Sequence, residues 1–190
     1  MADSSFNYTI EAWNTTSERV EYTTNIFKVL KRDMVIPSEN HKATFSVLEA
    51  PDWINVIALT PENDIVLVEQ YRYGIEKPTL ELPGGVCDGN EDPKTTCMRE
   101  LAEETGYSSD EWIYLGNVSS NPAMQTNYTH TYLARNCNKT STQKLDGNER
   151  INVHVLPLEQ FLGMIGNGEI KHSLMVAAIG KFLLSEFYVT

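Results

Sequence analysis

Apolar and β-branched positions set the pattern of this chain from Arg19 onward. Tyr22, Ile26, Phe27, Val29, Leu30, Met34 and Val35 predict extended structure between Arg19 and Val35. Residues 1 to about 16 are polar and read as a loose terminus with Trp13 as an anchor. Pro37 to His41 reads as a turn and Ala43 to Leu48 as a further strand. Trp53 to Thr60 is a near-continuous apolar run, the mark of a buried strand. The turn Pro61-Glu62-Asn63-Asp64 folds it back on a strand from Ile65 to Tyr71, so 53–71 predicts a hairpin. Farther on, Trp112–Val118, His130–Ala134 and Arg150–Leu156 read as strands, with loops at Ser119–Tyr128 and Asn136–Asn148. Two helices close the chain. Leu158 to Ile165 is broken by Gly166-Asn167-Gly168, and His172 to Phe187 places Leu174, Ala177, Ala178, Lys181 and Phe182 at helical spacing.

A third helix stands between these blocks. Asp92-Pro93 offers an N-cap acceptor followed by proline at the first helical position, where its missing N–H costs nothing. Gly106 is a matching stop, able to turn left-handed. Met98, Leu101, Ala102 and Thr105 form the stripe expected to face the core. Glu100, Glu103 and Glu104 lie within one turn of each other, and their repulsion costs on the order of a few tenths of a kcal/mol per pair. A helix needs no such cluster to fold. A hard divalent cation would use it, because such ions take carboxylate oxygens and bridge them to substrate phosphates.

Composition narrows the setting. At 190 residues, 41% hydrophobic and 22% charged, the chain suits one soluble domain with a small added element. A net charge of −11 with no basic stripe argues against a nucleic-acid partner. It does not argue against a phosphorylated small molecule, since a bound metal reverses the local sign. The start carries neither a basic nor an apolar signal region, and no run approaches a membrane span, so a cytoplasmic protein without membrane contact is expected. Cys87, Cys97 and Cys137 lack metal-type spacing and read as reduced thiols.

The acidic helix and the turn before it resemble the Nudix box position for position. The match runs Gly85, five residues, Glu91, seven residues, Arg99-Glu100-Leu101, one residue, Glu103-Glu104, one residue, Gly106, then a large apolar Tyr107. Tyrosine stands where the family more often carries an aliphatic residue. The resemblance implies a Nudix α/β/α sandwich with a mixed central sheet, here with an N-terminal antiparallel β extension. It implies a Mg²⁺-dependent hydrolase, with Mn²⁺ able to substitute, acting on a nucleoside diphosphate joined to another group. Glu100, Glu103 and Glu104 would then be metal ligands, joined by the backbone carbonyl near Gly84, and Glu91 with Arg99 would orient loop and helix. Gly84 and Gly85 would let backbone approach the phosphates.

Gln70-Tyr71-Arg72 followed by Glu81-Leu82-Pro83 resembles the ADP-ribose pyrophosphatase branch. Arg72 suits a diphosphate oxygen pair but equally a surface ion pair. Glu81 would accept from a ribose hydroxyl or base, or pair with Arg72. Pro122, with Asn127 and His130 after it, resembles the marker loop of ADP-ribose and nucleoside diphosphate sugar hydrolases, which makes Pro122 and Asn127 candidate substrate contacts. Asp146-Gly-Asn-Glu149-Arg150 sits where that branch carries its general base, with Glu149 the best match and a box glutamate the alternative. Glycine at 147 departs from members with a second carboxylate there. His154 and His172 read as structural.

These residues point to cleavage of ADP-ribose or a related nucleotide sugar into a nucleoside monophosphate and a sugar phosphate, with Glu103, Glu104 and Glu149 at the chemistry. Hydrolysis of dinucleoside polyphosphates or nucleoside triphosphates is the alternative within the same chemistry, and a ligand-sensing module on the same fold is the alternative outside it. Residues 1–48 are expected to be a dimerising extension and 49–190 the catalytic domain. A strand pair of that kind is marginal unless it packs on something, and the branch resembled exchanges such strands across a two-fold axis. A homodimer with Trp13 or Phe27 at the interface is expected.

Overall fold

The structure is a computed structural model that describes residues 6–89 and 91–188. The chain divides into two compact units. One comprises residues up to 50 with 121–126, the other residues 51–120 with 127 onward.

The first unit is a three-stranded antiparallel sheet of β1 (Asn14–Thr23), β2 (Lys28–Ile36) and β3 (His41–Glu49), in that spatial order. Thr24 closes the first turn, its hydroxyl accepting from the Ile26 and Phe27 amides. Across the strands Asp33 accepts from Ser17 and Thr44, each at 2.6 Å. Trp13 packs edge-on against His41 and Phe45. Among the described residues of the three strands only Leu30 is buried. The segment 121–126 completes the unit through hydrogen bonds between Leu48 N and Met124 O, and between Thr126 N and Leu48 O. β1 therefore starts five residues before the sequence pattern predicted. Its residues are exposed on both faces, so no alternation betrayed it.

The second unit is a mixed seven-stranded sheet between helices. Its strands are β4 (Trp53–Leu59), β5 (Asp64–Arg72), β6 (Lys77–Glu81), β7 (Gly84–Val86), β9 (Glu111–Ser119), β10 (Tyr128–Arg135) and β12 (Asn152–Pro157). The order is β12-β5-β4-β10-β9, with β6 on β5 and β7 on β4, and only β10 runs parallel to β4. Two short strands, β8 (Tyr107–Ser108) and β11 (Asn138–Lys139), pair separately.

Helix α1 (Pro93–Thr105) covers one face, where Ile54, Val56, Ala58, Val66 and Ala134 meet Cys97 and Leu101. Helices α2 (Leu158–Gly166) and α3 (Ser173–Tyr188) cover the other, where Ile57, Leu59, Leu67 and Leu133 meet Phe161, Met175, Ala178, Ile179 and Phe182. Cover on both faces is why β4 reads as an unbroken apolar run. The buried face of α3 is Met175, Ala178, Ile179 and Phe182, so Leu174, Ala177 and Lys181 of the expected stripe lie at its edge.

The expected 53–71 hairpin pairs only at Ala58–Val66 and Leu59–Ile65. Beyond that β5 takes β6 as its partner and β4 takes β7, so the strands splay apart. The Leu82-Pro83-Gly84-Gly85 turn lies in that split, fixed by the Val56 amide on Pro83 O at 2.8 Å. Among the described residues no helix is long and apolar enough to cross a membrane.

Candidate active site

Helix α1 begins and ends as its sequence dictates. Asp92 accepts from the Lys94 and Thr95 amides at 3.1 and 3.3 Å, and Gly106 takes φ 75° with its N–H on Ala102 O. Its buried face, however, is Thr96, Cys97, Leu101, Glu104 and Thr105. Met98 is exposed and Ala102 half-buried, so the expected stripe is turned by part of a residue spacing. A carboxylate has taken a core position. Glu104 is 4% exposed, and its Oε2 accepts from the Gly84 N–H at 2.9 Å.

That position is electrostatically costly. Burial pushes the Glu104 carboxyl up to about 8; the Gly84 N–H pulls it down, while the charges of Glu100 and Glu149 add to the rise. Glu100 is also raised, by burial first and by Glu103 and Glu149 as well, against the pull of Arg99. A Cβ on Gly85 would collide with the Glu100 carboxylate, which would have to move aside.

Arg99 ties the cluster together. Its Nη1 donates to Glu100 at 2.8 Å and Glu103 at 3.2 Å, and its Nη2 to Glu91 at 3.1 Å. Glu91 accepts as well from the Thr96 hydroxyl at 2.9 Å. As these side chains are placed, no three His, Cys, Asp or Glu groups among the described residues converge to chelate an ion. The donor chemistry nonetheless fits a hard divalent cation: Glu100, Glu103 and Glu104 offer oxygen alone, and a cation would offset both the burial and the neighbouring charges that raise Glu104 and Glu100.

The remaining candidates fall in several places. Arg72 grips Glu81 two-handed, Nε to Oε1 at 2.8 Å and Nη2 to Oε2 at 2.6 Å, and Thr79 donates to the same carboxylate. Glu81 is 1% exposed. Burial raises its carboxyl, but Arg72 and Thr79 more than offset that and hold it below the usual range. The ion pair named as one reading of these two residues is thus present, and Arg72 Nη1 takes no part in it. Glu149 is exposed, accepts from the Asp146 amide at 2.9 Å, and acts electrostatically on Glu100 and Glu104. Pro122 sits in an exposed turn of the first unit. Asn127 is 2% exposed and makes no side-chain hydrogen bond, so it contacts none of the carboxylates. His172 caps α3 through Nδ1 on the Leu174 amide, and His154 pairs with Glu69.

Sequence reasoning missed Gln143 and Lys144. Gln143 Nε2 donates to Glu104 O at 2.7 Å and Ile151 O at 3.2 Å, and the Lys144 amide donates to Glu103 O at 2.8 Å. The loop read as plain polar connection satisfies carbonyls in the last turn of α1 and leads the chain on to Glu149. Only the open carbonyls of a helix end hinted at it.

Comparison with known proteins gives the family. The NUDIX domain family model matches residues 51–178. The chain is 32% identical over 166 residues to a methanol dehydrogenase activator of Bacillus methanolicus, covering 87% of this chain and 89% of that one. It is 27% identical over 167 residues to an ADP-ribose pyrophosphatase of Bacillus subtilis strain 168, with the same coverage. A crystal structure of an ADP compounds hydrolase superposes with a TM-score of 0.80 over 95% of this chain and 96% of its own, at 18% identity, which speaks for the fold alone. The family match and these relatives support a diphosphate hydrolase. The chain belongs to the Nudix family, and ADP-ribose pyrophosphatases are among the relatives it resembles.

Proposed function

We propose that this enzyme cleaves ADP-ribose, or a related nucleoside diphosphate sugar, into a nucleoside monophosphate and a sugar phosphate in the presence of Mg²⁺. The observation that carries the reading is the placing of the Glu100 and Glu104 carboxylates against the Gly84-Gly85 turn. Glu100, Glu103 and Glu104 would hold the ion, together with backbone at Gly84. When bound, a divalent cation neutralises the diphosphate and makes water a stronger nucleophile. The chain's own residues do the rest. Glu104, fixed by the Gly84 amide, holds the helix against the turn that the phosphates approach. Glu81 fixes the plane of Arg72, so the guanidinium meets a phosphoryl oxygen through Nη1 without paying the full entropy of ordering. Glu149 takes the proton of the attacking water, with a box glutamate as the alternative acceptor. Gly85 is the further substrate contact proposed.

A panel of ADP-ribose, nucleoside diphosphate sugars, dinucleoside polyphosphates and nucleoside triphosphates, read by product chromatography with and without chelator, tests this. Fastest turnover of a nucleotide sugar, abolished by chelation, is expected. Preference for triphosphates, or a rate indifferent to chelation, would refute it. Likeness to a methanol dehydrogenase activator carries a second reading, in which the chain acts upon a dehydrogenase. Assay of a methanol dehydrogenase with and without this chain tests that one.

A further inference from the structure

We propose that Arg99 and the divalent cation are alternative occupants of Glu100 and Glu103, so that binding the ion draws the two carboxylates off Nη1 and leaves the guanidinium on Glu91 alone. This rests on the reading of the box carboxylates as metal ligands and goes beyond it, since it assigns the cost of assembling the site to one side chain.

One nitrogen spans two of the three carboxylates: Arg99 Nη1 donates to Glu100 Oε1 at 2.8 Å and to Glu103 Oε2 at 3.2 Å. The second contact is an ordinary neighbour four residues on along the helix. The first is not, because adjacent helical residues do not face each other. Glu100 is therefore turned along the helix toward Arg99. Glu104 lies outside this grip, held by the Gly84 amide instead. Arg99 holds Oε1 of Glu100 and Oε2 of Glu103, and two cations sharing those oxygens would repel.

A second seat for the guanidinium already exists. Nη2 and Nε lie 3.1 and 3.5 Å from the Glu91 carboxylate, and Asp88 stands 3.8 Å from Nη2. Glu91 is independently anchored by the Thr96 hydroxyl at 2.9 Å, so it stays in place when Arg99 shifts its weight. The exchange needs only that Glu100 and Glu103 turn away from Nη1, while Nε and Nη2 of the rigid, planar guanidinium keep their hold on Glu91.

The sign of one measurement separates this from a purely positioning role. If Arg99 merely orients the ligands, removing it weakens metal binding. If it competes with the ion, removing it tightens binding. Mn²⁺ uptake by the full chain, followed by electron paramagnetic resonance, reads this without turnover. Arg99→Gln is expected to bind Mn²⁺ roughly fivefold or more tightly, the scale of losing two partly exposed ion pairs. Glu91→Gln is expected to bind more weakly, because Arg99 falls back on Glu100 and Glu103. In the double variant the Glu91 substitution should have no effect of its own, a coupling that additive structural damage does not produce. Arg99→Gln binding with wild-type or lower affinity, at an intact circular dichroism melt, overturns the proposal. Should that variant not fold, Glu91→Gln with wild-type affinity overturns it alone. Glu104→Gln distinguishes the failures. Wild-type binding that Glu104→Gln abolishes, with Arg99→Gln unchanged, sinks only the displacement. A wild type that takes up no Mn²⁺ removes the reading of the carboxylates as well.

Discussion

Glu104 carries its charge where the fold penalises charge, and its stability and activity should respond oppositely. Glu104→Gln keeps the shape, removes a buried carboxyl that ionises only at a cost beside Glu100, and should leave the melting temperature unchanged or higher while lowering turnover by orders of magnitude. Near-normal turnover at saturating Mg²⁺ would contradict the role given to it. Glu81 behaves in the other direction. Its folded carboxyl titrates below the ordinary 4.5, so the stability it contributes is present above that value and is lost as the pH falls through the folded one. Glu81→Gln should therefore flatten the acid limb of a melting-temperature profile below about pH 4.5, whereas an unchanged limb would show that Arg72 and Glu81 do not hold each other in solution. Glu149→Gln should slow catalysis by orders of magnitude with Mn²⁺ affinity preserved, and a change below about tenfold would return the base to a box glutamate.

Among the elements, those whose signals are local were legible in the sequence. Asp92-Pro93 and Gly106 fixed both ends of α1, and the apolar run at β4 declared a strand buried on two sides. What escaped depends on distant partners. The rotation of α1 is set by the Gly84 amide drawing Glu104 inward, which no helical periodicity encodes. The splay of β4 from β5 is set by β6 and β7 competing for their edges. The placing of the 140–149 loop hangs on Gln143, an unremarkable amide in a polar stretch. Gln143→Ala should leave two carbonyls short of a donor and cost about 1–2 kcal/mol. It should also loosen the loop carrying Glu149, lowering kcat more than it raises KM. Stability and kcat both at wild-type values would show that the loop needs no such tie.

At the scale of the whole molecule, the first unit is a sheet with one buried side chain among its described residues. Val20, Tyr22 and Phe45 stay 57%, 64% and 41% exposed within it. We propose that residues 1–48 serve homodimerisation, with Trp13 or Phe27 at or near an interface above about 1,000 Å². Light scattering at micromolar concentration should give twice the 21.5 kDa chain mass; a monomer whose activity per chain is indifferent to dilution would end that account. What holds the three strands to one another, beyond their backbone ladder, is largely exposed charge: Lys28 on Glu49 and Arg32 on Glu18, both at 2.6 Å, and Arg19 on Asp33 at 3.4 Å. Screening shortens from about 10 Å at 0.1 M salt to about 3 Å at 1 M, and pairs in open water weaken with it. The oil-filled sandwich has no such dependence. Brine should therefore quicken deuterium uptake along Asn14–Glu49 while the amides of β4 and β5 keep their pace, giving one chain two different tolerances of the sea.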